Sequence, residues 1–263
     1  MTRLYIANSG DIGSRDRADK IAADFGFELS YDRLPDSDAY FLQFDGNTLG
    51  LTQGNSPKTR VVVDFCSGAV AHRRRFGGGK GQDIAKAVGI SASYCPTVVD
   101  ATVGLGRDAF VLATLGCDVV AVERQPVVAA LLQDGLARAE NHPDINDIMQ
   151  RIRMVHSSSH HWLSEQPENS VDVVYLDPMF DHDPKQKAAV KKDMQAFRTI
   201  VGHDADCDDL LSPALHAARC RVVVKRARKA VPMAGKAPSY SITGKSNRFD
   251  VYAMARVAPA GAQ

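Results

Sequence analysis

The chain has 263 residues, of which 44% are hydrophobic and 24% charged, and its formal net charge is +1. That length accommodates one large α/β domain with a smaller appendage and a self-sufficient core, and the balance excludes a low-complexity chain. No stretch approaches the roughly 20 apolar residues of a membrane helix. The first residues read as a short strand and turn instead of a secretory leader, so a cytoplasmic protein is expected. In chain order, residues 4–7 read as a strand, and 16–25 carry apolar residues at helical spacing. Residues 40–44 and 48–52 flank Asp45-Gly46-Asn47, a hairpin signal. Residues 60–65 are β-branched and read as another strand, and a Gly-rich basic stretch over 72–81 precedes a helical stretch over 82–88. Residues 1–90 are therefore expected to form a small α+β subdomain.

From residue 97 the pattern alternates. Strands are predicted at 98–101, 119–122, 152–156, 171–176 and 221–225. Helices are predicted at 107–115, stopping at Gly116, at 126–139 with Pro126 in its first turn, at 188–201 and at 210–218. Residues 240–243 and 249–253 read as two late strands around a turn, an antiparallel edge. Residues 258–263 are expected to be frayed. Continuous apolar strands between helices imply a parallel sheet covered on both faces, a doubly wound Rossmann-like α/β fold over 91–263.

In such a sheet ligands bind beyond the carboxyl ends of the strands. The first strand is followed by Asp100-Ala101-Thr102-Val103-Gly104-Leu105-Gly106-Arg107-Asp108, where Gly104 and Gly106 permit a tight turn and a helix start offers free N–H groups. Glu123 follows the second strand, 17 residues beyond Gly106. A carboxylate there suits the two hydroxyls of a ribose, which narrows the ligand to S-adenosylmethionine or NAD. The NAD fingerprint asks for a third glycine where Ala109 stands. Asp108 at the helix start repels a pyrophosphate and suits the ammonium of a sulfonium amino acid. The fourth strand ends in Asp177-Pro178-Met179-Phe180, which resembles the Asp/Asn-Pro-Pro-aromatic motif of amino-directed methyltransferases, with Met179 replacing the second proline. Asp177 and the Pro178 carbonyl can hold the N–H groups of an exocyclic amine, whose delocalised lone pair must be turned toward the methyl donor, and Phe180 can stack on the base.

With these residues in place, the chain resembles the RsmJ family of bacterial small-subunit (16S) ribosomal RNA guanine-N2 methyltransferases. The resemblance is carried by 61–65, 71–79, 85–89, 98–110, 123–138, 175–180, 222–226 and 248–252, and covers most of the chain from about residue 60 onward. The Asp-Pro-Met-Phe form belongs to the match. The resemblance implies a class I S-adenosylmethionine-dependent methyltransferase domain over 91–263 and a cytoplasmic enzyme. Its substrate would be a specific guanine near the 3′ end of small-subunit rRNA, as RNA or as assembled subunit. It also implies cofactor contacts at Arg107, Asp108, Glu123, Arg124, Ser158, Ser159 and Asp177. The residues alone would leave Ser157-Ser158-Ser159 a loop at the third strand end.

Charge is segregated: from Arg219 to Phe249 there are nine Lys or Arg and no Asp or Glu, and Arg73-Arg74-Arg75 with Lys80 form a second cluster. This suggests a polyanion footprint, with RNA contacts at Arg73, Arg74, Arg75, Lys80, Lys225, Arg226, Arg228 and Lys229. The glycines around Lys80 lack phosphate-loop spacing. His156, His160, His161 and Asp181-His182-Asp183 read as loop residues, and no metal is expected. Five scattered cysteines (Cys66, Cys95, Cys117, Cys207, Cys220) form no C-x-x-C pair and read as reduced thiols. The rival readings are an NAD-dependent oxidoreductase, a methyltransferase acting on DNA adenine or protein glutamine, and a non-catalytic ribosome-assembly factor.

Overall fold

The computed structural model describes residues 3–7, 12–31, 40–54, 56–67, 79–178, 206–245, 247–259 and 261. The expected helix over 188–201 lies outside these. The chain divides into two units, one gathering Met1–Asp64 with Gln125–Arg138, the other gathering Phe65–Arg124, Ala139–Phe180 and Asp204–Gln263.

The first unit holds a five-stranded sheet, β1 (Arg3–Ala7), β2 (Glu28–Ser30), β3 (Tyr40–Asp45), β4 (Thr48–Gln53) and β5 (Ser56–Val61), in the order β2-β1-β3-β4-β5. Helix α1 (Ile12–Phe25) links β1 to β2, which runs parallel to it, and β3, β4 and β5 form an antiparallel meander. The β3–β4 hairpin turns at Gly46, whose φ of 54° is left-handed. The strand expected over 60–65 instead pairs over Ser56–Val61. Pro57 is tolerated because β5 is an edge strand. Residues 61–65 alternate buried and half-buried, which imitates a paired strand, yet 62–65 pair with nothing in the sheet.

Helix α4 (Pro126–Ala139) belongs to this unit and is anchored by Asp134, 1% exposed. Its carboxylate accepts from the backbone N–H of Leu49 (3.2 Å), from Arg138 (2.8 Å) and from Arg17. Gly135 sits against helix propensity because a Cβ there would lie 2.4 Å from Val63 Cγ1 and 3.0 Å from the Val63 carbonyl oxygen. Gly135→Ala gains about 1 kcal/mol of propensity but forces overpacking that costs about 1–3 kcal/mol. We expect net destabilisation in a denaturant melt.

The second unit is built on a seven-stranded sheet, β6 (Val98–Asp100), β7 (Val119–Glu123), β8 (Ile152–His156), β9 (Val171–Leu176), β10 (Ala218–Ala227), β11 (Tyr240–Thr243) and β12 (Asn247–Ala253). The order is β11-β12-β10-β9-β6-β7-β8, with β6 to β10 parallel and β12 antiparallel to both β10 and β11. Helices α2 (Asp83–Val88), α3 (Arg107–Thr114), α5 (Asn146–Met149), α6 (Ser159–Ser164) and α7 (Leu211–Ala217) complete it. α6 and α7 bury Leu163, Leu211 and Ala214 against Val99, Val174, Val222 and Val224 on one face of the sheet. The right-handed crossover from β6 to β7 puts α3 on the other face, where Phe110 stacks on Phe65 at 5.1 Å. Of the residues expected with the amino-terminal subdomain, 65–67 and 79–90 group with this second unit, where α2 packs on β10, β11 and β12. No helix of the described residues is long and apolar enough to cross a membrane.

The chain leaves β6 toward β7 and β8 on one side and toward β9 and β10 on the other. This reversal opens a crevice at the carboxyl ends of β6 and β9, the place where such sheets bind ligands.

Candidate active site

Four strand ends meet at that crevice. β6 ends in Asp100, 2% exposed, whose carboxylate accepts from the Thr102 N–H at 3.2 Å. The turn that follows needs its glycines: Gly104 and Gly106 have φ of 54° and 74°, a region that strains side-chain-bearing residues. Gly106 opens α3, and its carbonyl accepts from the Phe110 N–H at 2.9 Å. β7 ends in buried Glu123, which accepts from the Gly104 N–H at 3.0 Å. The carboxylate expected to meet a ribose thus also fixes the glycine turn.

β9 brings Tyr175 and, one step beyond its end, Asp177 and Pro178. The Asp177 N–H donates to Thr102 Oγ1 at 2.6 Å, which ties the Asp-Pro turn to the β6 turn. The Tyr175 hydroxyl donates to Asp108 Oδ2 at 2.8 Å. From β10, Lys225 Nζ donates to the same Asp108 oxygen at 2.8 Å and to Asp177 Oδ2 at 2.6 Å. Burial opposes the Lys225 charge, but Asp177 and Asp108 outweigh it and leave its pKa raised. Burial, followed by the nearby Asp108, pushes the Asp100 carboxyl well above the usual carboxylate range. Burial and the same carboxylates push the Tyr175 phenol well up.

Among the described residues, the Asp108 and Asp177 carboxylates, with the Asp100 carboxyl beside them, share the Lys225 ammonium, so this pocket favours further positive charge. A ligand bearing an ammonium and a sulfonium supplies it, whereas a pyrophosphate adds to the repulsion. The donor set therefore fits S-adenosylmethionine: Asp100 and Asp108 could meet its cationic end, Gly104 and Gly106 would allow close backbone approach, and Glu123 could accept from ribose hydroxyls.

The serine run is better ordered than a loop. Ser158 caps α6, its hydroxyl accepting from the His161 N–H at 3.1 Å, and buried Ser159 donates to the Ala101 carbonyl. A serine followed by Trp162 and Leu163 at helical spacing was the signal for this helix start. Arg124 pairs with both oxygens of Asp206, at 3.0 and 3.1 Å. Arg107 is exposed at the start of α3.

The expected RNA contacts separate. Arg228 and Lys229 are exposed beyond β10, and exposed Lys80 donates to the Ser91 carbonyl at 2.9 Å. Arg226 is 6% exposed and donates to the Val231 carbonyl, so it is not a surface cation able to reach a phosphate. Lys225 likewise is spent between two site carboxylates and is corrected from an RNA contact to a site residue. Arg73, Arg74, Arg75, Met179 and Phe180 lie outside the described residues, as do Asp181, His182 and Asp183. Among the described residues no group of three or more His, Cys, Asp or Glu is arranged to hold a metal ion. All five cysteines are free thiols.

The reversal of strand order, the glycine turn and the acceptor-rich pocket define an S-adenosylmethionine-dependent methyltransferase. Residues 25–254 match the family model described as "Putative SAM-dependent methyltransferase". The crystal structure of an S-adenosylmethionine-dependent methyltransferase from Neisseria gonorrhoeae is 36% identical to the chain. It superposes with a TM-score of 0.75 over 100% of this chain and 98% of that one. Proteins named ribosomal RNA small subunit methyltransferase J are 56% identical in Shewanella sp. strain ANA-3, over 82% of this chain and 84% of that one. The one in Colwellia psychrerythraea is 54% identical, over 81% and 78%. The chain belongs to the ribosomal RNA small subunit methyltransferase J family.

Proposed function

We propose that this enzyme methylates the exocyclic N2 amine of a specific guanine in small-subunit ribosomal RNA. The observation that carries the reading is the seating of Asp177, an amine acceptor, at the switch point beside the cationic-ligand carboxylates. The family's name supports the RNA substrate. S-adenosylmethionine, when bound, supplies an electrophilic methyl group on its sulfonium. Asp177, with the Pro178 carbonyl, accepts the N–H groups of the amine, aims its lone pair and stabilises the positive charge that develops on nitrogen. Phe180 stacks on a base splayed out of the RNA. The methylated amine is a strong acid and loses its proton after transfer, and no covalent enzyme intermediate is needed.

Arg228, Lys229 and Lys80, with Arg73, Arg74 and Arg75, supply the phosphate contacts. The unit built on the seven-stranded sheet carries the chemistry. The test uses labelled S-adenosylmethionine with purified enzyme and small subunits lacking the modification, followed by digestion to nucleosides. Label in N2-methylguanosine is expected. Label in another nucleoside, or in protein, overturns the guanine assignment, and no label at all favours an assembly factor.

Glu123→Ala tests the ribose role. Losing hydrogen bonds to a charged acceptor costs about 1.5–3 kcal/mol, so S-adenosylhomocysteine should bind roughly 10- to 150-fold more weakly by calorimetry. Unchanged affinity would leave Glu123 only its structural bond to Gly104.

A further inference from the structure

Lys225 occupies a place that neither the motif nor the charge count foretold. The three preceding residues of β10, Val222, Val223 and Val224, are wholly buried, and Val224 lies beside Leu176 of β9. The next step along both strands sets Lys225 level with Asp177. Its antiparallel neighbour on β12 is Phe249, whose ring lies 6.4 Å from that of Tyr175. Its ammonium reaches Asp108 at the start of α3 and Asp177 beyond β9, at 2.8 and 2.6 Å. Asp100 of β6 and the Tyr175 hydroxyl are further titratable groups beside these two carboxylates. On α2, which also packs on β10, Asp83 and Lys86 pair with each other at 3.6 Å.

We propose that Lys225 is a positioning residue that bridges the cofactor-side carboxylate Asp108 and the amine-side carboxylate Asp177, keeping both ionised and fixed relative to one another. This deepens the methyltransferase reading and rests on it. One ammonium carries three N–H donors in a compact head, so a single side chain can satisfy carboxylates from two elements. Without it, Asp100, Asp108 and Asp177 would face one another with one cation fewer among them. A proton would then enter the cluster at a higher pH. A protonated Asp177 presents an O–H donor, which an amine N–H cannot use. Lys225 thus acts through Asp177 and Asp108 and has no need to touch substrate.

The experiment compares wild type, Lys225→Met and Lys225→Arg by single-turnover methyl transfer across pH. S-adenosylhomocysteine binding is measured by calorimetry at the same pH values, and a thermal melt reports folding. For Lys225→Met, kcat should fall on the order of 100-fold from misplacement of the acceptor. The acid limb of its pH–rate profile should move to higher pH, and its binding of S-adenosylhomocysteine should gain a pH dependence in the same range. Lys225→Arg, which keeps a cation able to span two carboxylates, should return the acid limb toward wild type. A fall in kcat with the limb unmoved and binding unaltered in its pH dependence would make Lys225 a structural residue and overturn the proposal. If Lys225→Met fails to fold, Lys225→Gln, which keeps donors and drops the charge, carries the same test. Should wild type itself neither bind S-adenosylhomocysteine nor transfer a methyl group, the reading of the site falls, and the proposal with it.

Discussion

Asp177→Ala is expected to lower kcat for methyl transfer by about 10²–10³, the range for removing one preorganised group that meets charge developing in the transition state. The carboxylate stands where β9 delivers its end to the crevice, pinned by the bond from its own N–H to Thr102 and by the Lys225 ammonium. An arylamine bound in the ground state is neutral and gains little from a carboxylate. In the proposed mechanism the nitrogen turns cationic as the carbon–nitrogen bond forms, and its N–H bonds to Asp177 strengthen. The loss should therefore fall on kcat and on kcat/KM alike. Asp177→Asn separates charge from shape, since it keeps an acceptor oxygen but no longer pairs with Lys225. It should recover part of the rate at best. Single-turnover assays on small subunits check both variants, with a thermal melt to show that each is folded. Wild-type turnover in Asp177→Ala would remove Asp177 from the mechanism.

The parallel sheet was legible because buried strands and their helices leave a periodic trace. β8, β9, β11 and α4 begin and end where hydrophobic runs and turn residues put them. The placement of Asp100, Glu123 and Asp177 at strand ends was legible because a carboxylate closing an apolar run stands out. Lys225 was not, since a count of basic residues ignores the direction in which each side chain leaves the strand. It shares a run with exposed Arg228 and Lys229, yet the register of β10 on β9 turns it into the site and buries its neighbour Arg226. The bridge to Asp108 joins residues 117 positions apart, a pairing that only the strand order creates. The start of α6 was hidden for another reason: serine serves turns and helix caps equally, and the hydrogen bond from His161 decides between them. At β5 the alternation over 61–65 outlasted the pairing, because burial and ladder hydrogen bonds are separate causes of an extended chain.

At the opposite end of β9 from the site, Asp172→Ala should cost about 3–5 kcal/mol, the penalty for stripping one partner from a buried ion pair, and lower Tm on the order of 10 °C. Asp172 is buried at the second residue of the strand. Its carboxylate accepts from the Tyr94 hydroxyl at 2.5 Å, the Thr97 N–H at 3.0 Å and Arg219 Nε at 3.0 Å. Its own N–H donates to Thr97 Oγ1 at 3.2 Å. These bonds tie the start of β9 to the segment entering β6 and to β10, so they help hold the three strands whose other ends build the site. Burial alone would raise the Asp172 carboxyl, but the bonds from Tyr94 and Arg219 outweigh it and leave it below the usual carboxylate range. The stabilisation is therefore full above the unfolded carboxylate value, about pH 4, and is lost as pH falls below it. Tyr94, hydrogen-bonded to the same carboxylate, is pushed up to about 12. Its contribution is full below the unfolded phenol value of about 10 and fades as pH rises toward 12. Denaturation of wild type across pH should show both flanks, Tyr94→Phe should lose the alkaline one, and Asp172→Ala should lose both. Parallel decline of wild type and Asp172→Ala through the two windows would assign the pH dependence to other groups.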